Sequence, residues 1–598
     1  MRRFREWQSP LPLNELRQPS MATPRYWGSG FGVLRGTGLR GGMQLWFVKG
    51  TTWTDVTPAE RRVGSGLYSY GAISWSPWSA KKALAIMVDR GTMAIVHRER
   101  GILREFPLDG MAQGFPVRWS QHEFAYVADF GPQRGRAIVV VDVETGLSRH
   151  VYETPKLIGD LCVERHEGLI AWVEWESGSL PWESARAQLA HRSYLRLWPD
   201  EVPTPGGAAA NLTFDGPTLH GVCEVNDRFV PFRFRDGEVR TVSTFVGEGR
   251  SDWFFGWRWT AHGARHTTHV SLHDATTTLV QIADDDDAVS VVEDAPLAIQ
   301  EIDGRPGRII VLGSAGDSEA SLYEFRDETK KWRRRRAPGS PRNAHPASLG
   351  EVRTTDSGVT FVYFEPHHPQ VVAPPDDRPG LILHIHGGPT ATAGRGYRFD
   401  THLFTTSGFA VASVEYTGST GYGAAFRRGL YGRYGDVDVR DVLDVASYLV
   451  ARGEVDPSKV FVRGGSSGGM TALLCAEDPR ITGAIAAYPV TDMLQLHEAT
   501  HEAEGGYLED LVGPLPEAKD RFRRLSPRYR ERAPRRVLIL QGDSDPVVPA
   551  TLVRDYVDYL RLRGVEVEYL EFVGEGHGFR QADTRRRVAE AELRFLRS

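Results

Sequence analysis

The 598-residue chain has 72 Lys and Arg against 77 Asp and Glu, a formal net charge of −5, with 41% hydrophobic and 25% charged residues. That length exceeds one ordinary core, so two or more domains are expected, and the near balance of charge excludes recruitment of nucleic acid or an anionic membrane by a global field. Three cysteines, Cys162, Cys223 and Cys475, are odd in number and far apart, which argues against a disulfide framework, supplies no zinc spacing and favours a reducing compartment.

Residues 1–25 read as an N-terminal arm. The stretch "MRRFREWQSPLPLNELRQPS" has the arginines of a signal peptide but no apolar run after them. No segment approaches the roughly 18 apolar residues of a membrane span. A cytoplasmic location without membrane or nucleic-acid partners is the expectation, and association into a homo-oligomer is compatible with it.

Residues 26–345 read as all-β. Short apolar runs such as "KALAIMVDR", "EFAYVADF", "RAIVVVDV", "LIAWVEW" and "RIIVLGS" alternate with Gly, Asp and Pro turns, and little of the stretch has a helical period. Trp75, Trp119 and Val163 recur at intervals of 44 positions, each followed by a similar strand. A repeat of about 40 to 50 residues is the pitch of four-stranded propeller blades, and the length allows six or seven of them. The acidic run Asp284 to Asp287 is expected at a hairpin tip, since it lacks the alternating ligands and glycine of a calcium loop. The basic cluster Lys330 to Arg336 is expected to be a solvated edge.

Residues 346–598 change rhythm. Apolar strands, "LILHIHGG", "AVASVEY", "KVFVRGG", "AIAAYPV" and "VLILQGD", alternate with helical runs such as "RDVLDVASYLVARG" and "RDYVDYLRLRG". Strands that are apolar throughout, with amphipathic helices between them, specify a mostly parallel, doubly wound sheet covered on both faces. In such sheets, sites gather at the carboxyl ends of the strands.

At one of those ends stands "KVFVRGGSSGGMTALL". G-x-S-x-G between a strand and a helix is the sharp turn on which an α/β-hydrolase exposes its nucleophile. Two registers fit, one centred on Ser466 and one on Ser467, and spacing alone does not choose between them. A serine nucleophile needs a base and an orienting carboxylate, expected downstream in the order Ser, Asp, His. "QGDSDPVVP" offers Asp543 and Asp545, and "GEGHGF" offers His577. "HIHGGPT" supplies a glycine turn whose backbone N–H groups suit an oxyanion hole.

A propeller joined to "HGGP", "EYTGSTGYG", "GGSSGG", "QGDSDPVVP" and "GEGHGF" resembles the prolyl oligopeptidase family of serine peptidases, in particular its bacterial dipeptidyl-aminopeptidase and acylaminoacyl-peptidase-like members. The resemblance covers essentially all of residues 350 to 598. In the propeller it rests on "RYWGSG", "SYGAISW" and "AWVEWESGSLPWES". It implies Ser466 as nucleophile, Asp545 and His577 as its partners, and Ser467 and Gly388 as oxyanion donors. The implied chemistry is covalent hydrolysis of short peptides or small amides and esters, with the propeller restricting access and no cofactor or metal required. Tyr70 and Trp182 match family positions facing the domain interface, where a substrate contact and a packing role both remain open. Two departures bear on specificity: Val547 stands where acylaminoacyl-peptidases commonly carry arginine, and Ser69 where relatives often carry glutamate.

Three rival readings remain. A carboxylesterase or small-amide hydrolase would use the same serine machinery, because fold does not fix substrate. "HEATH", His497 to His501, fits H-E-x-x-H, which in a zinc peptidase places two histidines one helical turn apart, with Glu502 or Glu504 as further ligand. The third is a binding protein whose hydrolase half is a relic.

Overall fold

The computed structural model describes residues 1–13, 20–36, 42–68, 71–193, 195–242, 244–245, 247–249, 255–316, 318–338, 347–500 and 502–598, the side chains of Glu502 and Ala503 excepted. Seven four-stranded antiparallel sheets, spanning 21–55, 75–107, 112–154, 157–201, 209–241, 260–291 and 298–335, make a seven-bladed propeller. The first strand, Met21–Trp27, begins inside the stretch assigned by sequence to the arm. Second strands such as Leu169–Trp175 are buried at every position. They lie between neighbouring blades, which is why they read as unbroken apolar runs.

The 44-residue spacing needs one correction. The Trp119 N–H bonds the Glu123 carbonyl as the Trp78 N–H bonds that of Lys82, so Trp78 and not Trp75 is the counterpart of Trp119 in the repeat. Both open a W-S turn, and the two tryptophans three residues apart blurred the register. Asp284 to Asp287 do form a hairpin tip, between Thr276–Ala283 and Val289–Val291, where Asp287 pairs with Arg233. Lys331–Arg335 is the outer strand of the last blade, with Arg335 buried against Glu324 at 2.7 Å.

Each sheet takes its four strands consecutively from the chain, so no shared strand closes the ring. Side chains join the ends. Glu301 of blade seven accepts the Thr23 N–H of blade one at 2.5 Å and pairs with the buried Arg25 at 3.3 Å. Asp303 accepts the Tyr26 N–H at 2.7 Å.

The second half is one eight-stranded sheet. Its spatial order is Glu351–Thr354, Thr360–Phe364, Phe409–Glu415, Gly380–Ile385, Val460–Gly465, Gly483–Ala487, Arg536–Gly542 and Glu566–Phe572. The first three neighbours pair antiparallel and the rest parallel. Alternate residues feed two cores. Leu381, Leu383 and Ile385 pack with Val442, Val445, Leu473, Val553 and Tyr556 of the helices on one face. Ile382, Phe461 and Leu538 pack with Phe404, Phe595 and Leu596 on the other. Helices on both faces force the sheet to be apolar on both sides, as its sequence is.

Residues 1–13 pack on this half rather than on the propeller. The Phe4 N–H donates to Asp377 at 2.6 Å, Ser9 Oγ lies 2.6 Å from Thr406 Oγ1, and Arg597 donates to the Trp7 carbonyl at 2.8 Å. The propeller meets the hydrolase half at a charged clasp: Arg427 reaches Glu183 at 2.9 Å and Glu224 at 3.4 Å, and Arg428 reaches Glu183 at 2.8 Å. Asp227 and Glu248 of the propeller accept backbone N–H groups of Ala425, Gly421 and Gly423 around the start of the helix Ala424–Arg428.

Candidate active site

The strand Val460–Gly465 runs straight into the helix Ser467–Cys475, with Ser466 between them at φ 57°, ψ −125°. A serine with positive φ is strained backbone, held there by its surroundings. The surrounding glycines are there because backbone crosses backbone. A Cβ on Gly464 would stand 2.2 Å from the Gly468 carbonyl oxygen, and one on Gly468 would stand 2.5 Å from the carbonyl oxygens of Ile385 and His386. The helix behind the elbow is tied down by Thr471, whose hydroxyl donates to the buried Asp438 at 2.7 Å. Burial pushes that carboxyl up to about 6.

Ser466 Oγ lies 2.9 Å from His577 Nε2, and His577 Nδ1 lies 2.8 Å from Asp545 Oδ2. Three groups spread over more than a hundred positions thus form one hydrogen-bonded line. Asp545 is fixed from behind, because its other oxygen accepts the N–H groups of Val547 and Val548 at 2.8 and 2.9 Å. Its carboxyl is fully buried, whereas the His577 ring is 15% exposed. The loop carrying His577 has two anchors. Asp543 Oδ1 accepts the Gly574 N–H at 2.7 Å, and the buried Glu575 accepts the N–H groups of Arg580 and Gln581 at 3.0 and 2.9 Å. Tyr488, itself at φ 38°, packs its ring 4.7 Å from that of His577.

The "HGGP" turn leaves the neighbouring strand Gly380–Ile385 and passes directly beside the elbow: a Cβ on Gly387 would stand 3.0 Å from the Gly465 carbonyl oxygen. Gly388 adopts φ +126°, which favours glycine. Among the described residues, neither the Gly388 nor the Ser467 N–H takes part in a backbone hydrogen bond. Ser467 is the first residue of its helix, so its N–H has no intrahelical acceptor. Its side chain is buried beside the hydroxyls of Tyr416 and Tyr434, while Ser466 is the serine facing the histidine.

The remaining expected residues are placed as follows. Tyr70 and Ser69 lie outside the described residues. Trp182 is 2% exposed and sits in the interface, edge-on to Tyr507, whose hydroxyl is 2.7 Å from Thr390 Oγ1. Val547 packs against the hydrolase core and offers no cation. In the zinc motif, the helix Met493–Ala499 ends at an extended Thr500 before the helix Glu502–Val512 begins. The H-E-x-x-H spacing therefore crosses a helix break instead of aligning its ends on one helix face, and His497 pairs with Glu509 at 3.2 Å. His501 lies outside the described residues. The sequence had given no role to Glu575, Tyr488 or Glu183: Glu575 braces its own loop, whereas the partners of Tyr488 and Glu183 come from distant segments. No helix among the described residues is long and apolar enough to cross a membrane.

Comparison with known proteins points the same way. The sequence profile of the prolyl oligopeptidase family matches residues 395–598. The acylamino-acid-releasing enzyme of Arabidopsis thaliana is 31% identical over 207 residues, 33% of this chain and 27% of that protein. Dipeptidyl aminopeptidase BIII of Pseudoxanthomonas mexicana is 28% identical over 225 residues, 36% of this chain and 32% of that protein. The chain thus spans about a third or less of the curated relatives it matches. A solved Mycobacterium tuberculosis puromycin-hydrolyzing peptidase superposes with a TM-score of 0.91 at 24% identity, covering 99% of this chain and 96% of that one. Residues 395–598 are thus similar to the prolyl oligopeptidase family, and the propeller joined to them gives the whole chain the fold of that solved structure.

Proposed function

We propose that this chain is a serine peptidase that hydrolyses short peptides through an acyl-enzyme on Ser466, with the propeller acting as a filter. The observation that carries the reading is the line from Ser466 Oγ through His577 to Asp545, at 2.9 and 2.8 Å. In this reading His577 takes the serine proton as Oγ attacks the carbonyl carbon, then returns it to the leaving amine. Asp545 holds the imidazole tautomer and stabilises the imidazolium. The Gly388 and Ser467 N–H groups receive the oxyanion, and losing one such donor typically costs about 10² to 10³ in rate. Water then releases the acyl group. No step calls for a metal or organic cofactor.

The propeller, from Met21 to about residue 345, serves as the filter and residues 346–598 as the catalyst, with residues 1–13 bracing the latter. Of the relatives named above, one is a dipeptidyl aminopeptidase and the other an acylamino-acid-releasing enzyme by name, which favours peptide amides over simple esters. Three free thiols suit a cytoplasmic site of action. The structural relative is a puromycin-hydrolyzing peptidase, so an aminoacyl amide of that size belongs among the candidate substrates.

The test is a panel of dipeptidyl, aminoacyl and acyl-aminoacyl nitroanilides, puromycin and simple esters, run on wild type and Ser466→Ala. Turnover of at least one peptide amide that disappears in the variant is expected. Ester turnover alone would favour the esterase reading.

A further inference from the structure

The motif "EYTGS", Glu415 to Ser419, takes no part in the proton relay, yet it surrounds the turn that carries Gly388. It follows the strand Phe409–Glu415, which pairs in parallel with the strand Gly380–Ile385 that delivers "HGGP". Tyr416 is fully buried, and its ring stacks on that of His386 with centroids 4.3 Å apart. Its hydroxyl stands 3.0 Å from the His386 carbonyl oxygen and 3.1 Å from that of Pro389. Those two carbonyls bracket Gly387 and Gly388. Ser419 Oγ lies 2.8 Å from His386 Nε2, on the same imidazole. Glu415 takes the far end of the turn, accepting from Thr392 Oγ1 at 2.8 Å and the Ala393 N–H at 2.9 Å. The turn is itself anchored, since the N–H and hydroxyl of Thr417 donate to Asp441 at 2.9 and 2.6 Å on the helix Val437–Ala451.

Glycine needs such a clamp. The donor peptide joins Gly387 to Gly388, so no side chain fixes its orientation, and its plane can rotate at small cost. Burial holds the Tyr416 phenol well above its ordinary pKa, so the hydroxyl remains a proton donor toward the two carbonyls.

We propose that the Glu415–Ser419 turn is the clamp that aims the Gly388 N–H at the developing oxyanion, with the Tyr416 hydroxyl as the positioning residue. The inference rests on the peptidase reading above. An oxyanion donor acts in the transition state and little in the ground state, so a mis-aimed donor lowers kcat and leaves KM nearly unchanged. A tyrosine that only filled space would show instead in stability.

Tyr416→Phe in the full chain keeps the ring and its stacking and removes the hydroxyl. Reactive sites are first counted by titration with a fluorophosphonate. Then kcat and KM are measured on a peptide nitroanilide that wild type turns over, along with inhibition by a peptide aldehyde, whose hemiacetal oxygen occupies the oxyanion position. Per reactive site, kcat is expected to fall about tenfold or more, approaching the effect of losing a donor. KM should stay within about twofold, and aldehyde affinity should fall in parallel with kcat. Unchanged kcat, or a loss seen in KM with aldehyde affinity intact, overturns the proposal. If Tyr416→Phe does not fold, Ser419→Ala should give the same pattern at smaller size, and wild-type kinetics there overturn it equally. A wild type that no fluorophosphonate labels, or a fully active Ser466→Ala, would instead remove the peptidase reading beneath it.

Discussion

Asp545 and Asp543 stand two residues apart on one loop and grip different points of the segment that carries His577. Asp545 Oδ2 meets the imidazole at 2.8 Å, and Asp543 Oδ1 meets the Gly574 N–H at 2.7 Å, three residues before it. Asp545→Asn is expected to cut kcat by about 10³ to 10⁴, since the amide favours the wrong tautomer. Asp543→Ala loosens the loop without touching the ring, and a loss below about tenfold is expected. Steady-state kinetics on one peptide substrate separates the two, and equal losses would contradict the division of labour.

The elbow tolerates no side chain at Gly464, where a Cβ would meet the Gly468 carbonyl carbon at 2.4 Å as well as its oxygen. Both are backbone atoms with nowhere to move. Gly464→Ala should therefore displace Ser466 from His577 and lower the fluorophosphonate labelling rate at least tenfold, while far-UV circular dichroism stays close to wild type. Labelling at the wild-type rate would show that the crossing yields to a methyl group, contrary to this account.

Three histidines gather in the seam between blades five and six. The His220 and His262 rings lie 4.6 Å apart, and His269 Nδ1 is 3.1 Å from Thr260 Oγ1. Burial, with the neighbouring histidines and then Arg233 and Arg258 adding to it, lowers His262 and His269 to about 3 and His220 well below its usual value. In the unfolded chain each takes up a proton near pH 6.5. The folded-state values are depressed, so stability is fully present above about pH 6.5 and is lost as pH falls toward 3, at up to about 1.4 kcal/mol per pH unit for each ring. Urea midpoints between pH 7 and 5 should fall more steeply for wild type than for His262→Gln. Parallel slopes would mean the seam admits protons freely.

The clasp between the halves offers a fourth test. Arg427 is 4% exposed and spans Glu183 and Glu224, and the Tyr431 hydroxyl also donates to Glu183 at 2.9 Å. Glu183→Ala leaves that guanidinium with Glu224 as its one carboxylate beside the Trp182 carbonyl, a loss expected to cost about 2 to 4 kcal/mol, near the range for breaking one side of a buried pair. Thermal melts report it. If the propeller filters by staying docked, the same variant should raise cleavage of long peptides relative to short ones. An unchanged melt and an unchanged ratio would count against the clasp.

Much of this architecture was legible in the chain, and the reasons are physical. Strands buried on both sides are apolar at every position, so "LILHIHGG" and "KVFVRGG" announced the sheet. Steric exclusion at the elbow wrote itself as four glycines, and blade hairpins wrote themselves as recurring W-S turns. The spacing did not decide between Ser466 and Ser467, because adjacent residues in a glycine turn differ only in the direction of their side chains. Resemblance to the family pointed to Ser466, and the hydrogen bond from its Oγ to His577 agrees with that choice. The zinc motif was a rival for a similar reason: H-E-x-x-H carries meaning only on a continuous helix, and Thr500 interrupts it. Blade closure through Glu301 and the clasp through Glu183 join segments hundreds of positions apart, so no local pattern records them.

The most direct measurement is mass-spectrometric mapping of a fluorophosphonate adduct on the full chain. A single adduct on Ser466, formed stoichiometrically with loss of peptide hydrolysis and absent from Ser466→Ala, is the predicted result. An adduct on Ser467, or undiminished hydrolysis by Ser466→Ala, would contradict it.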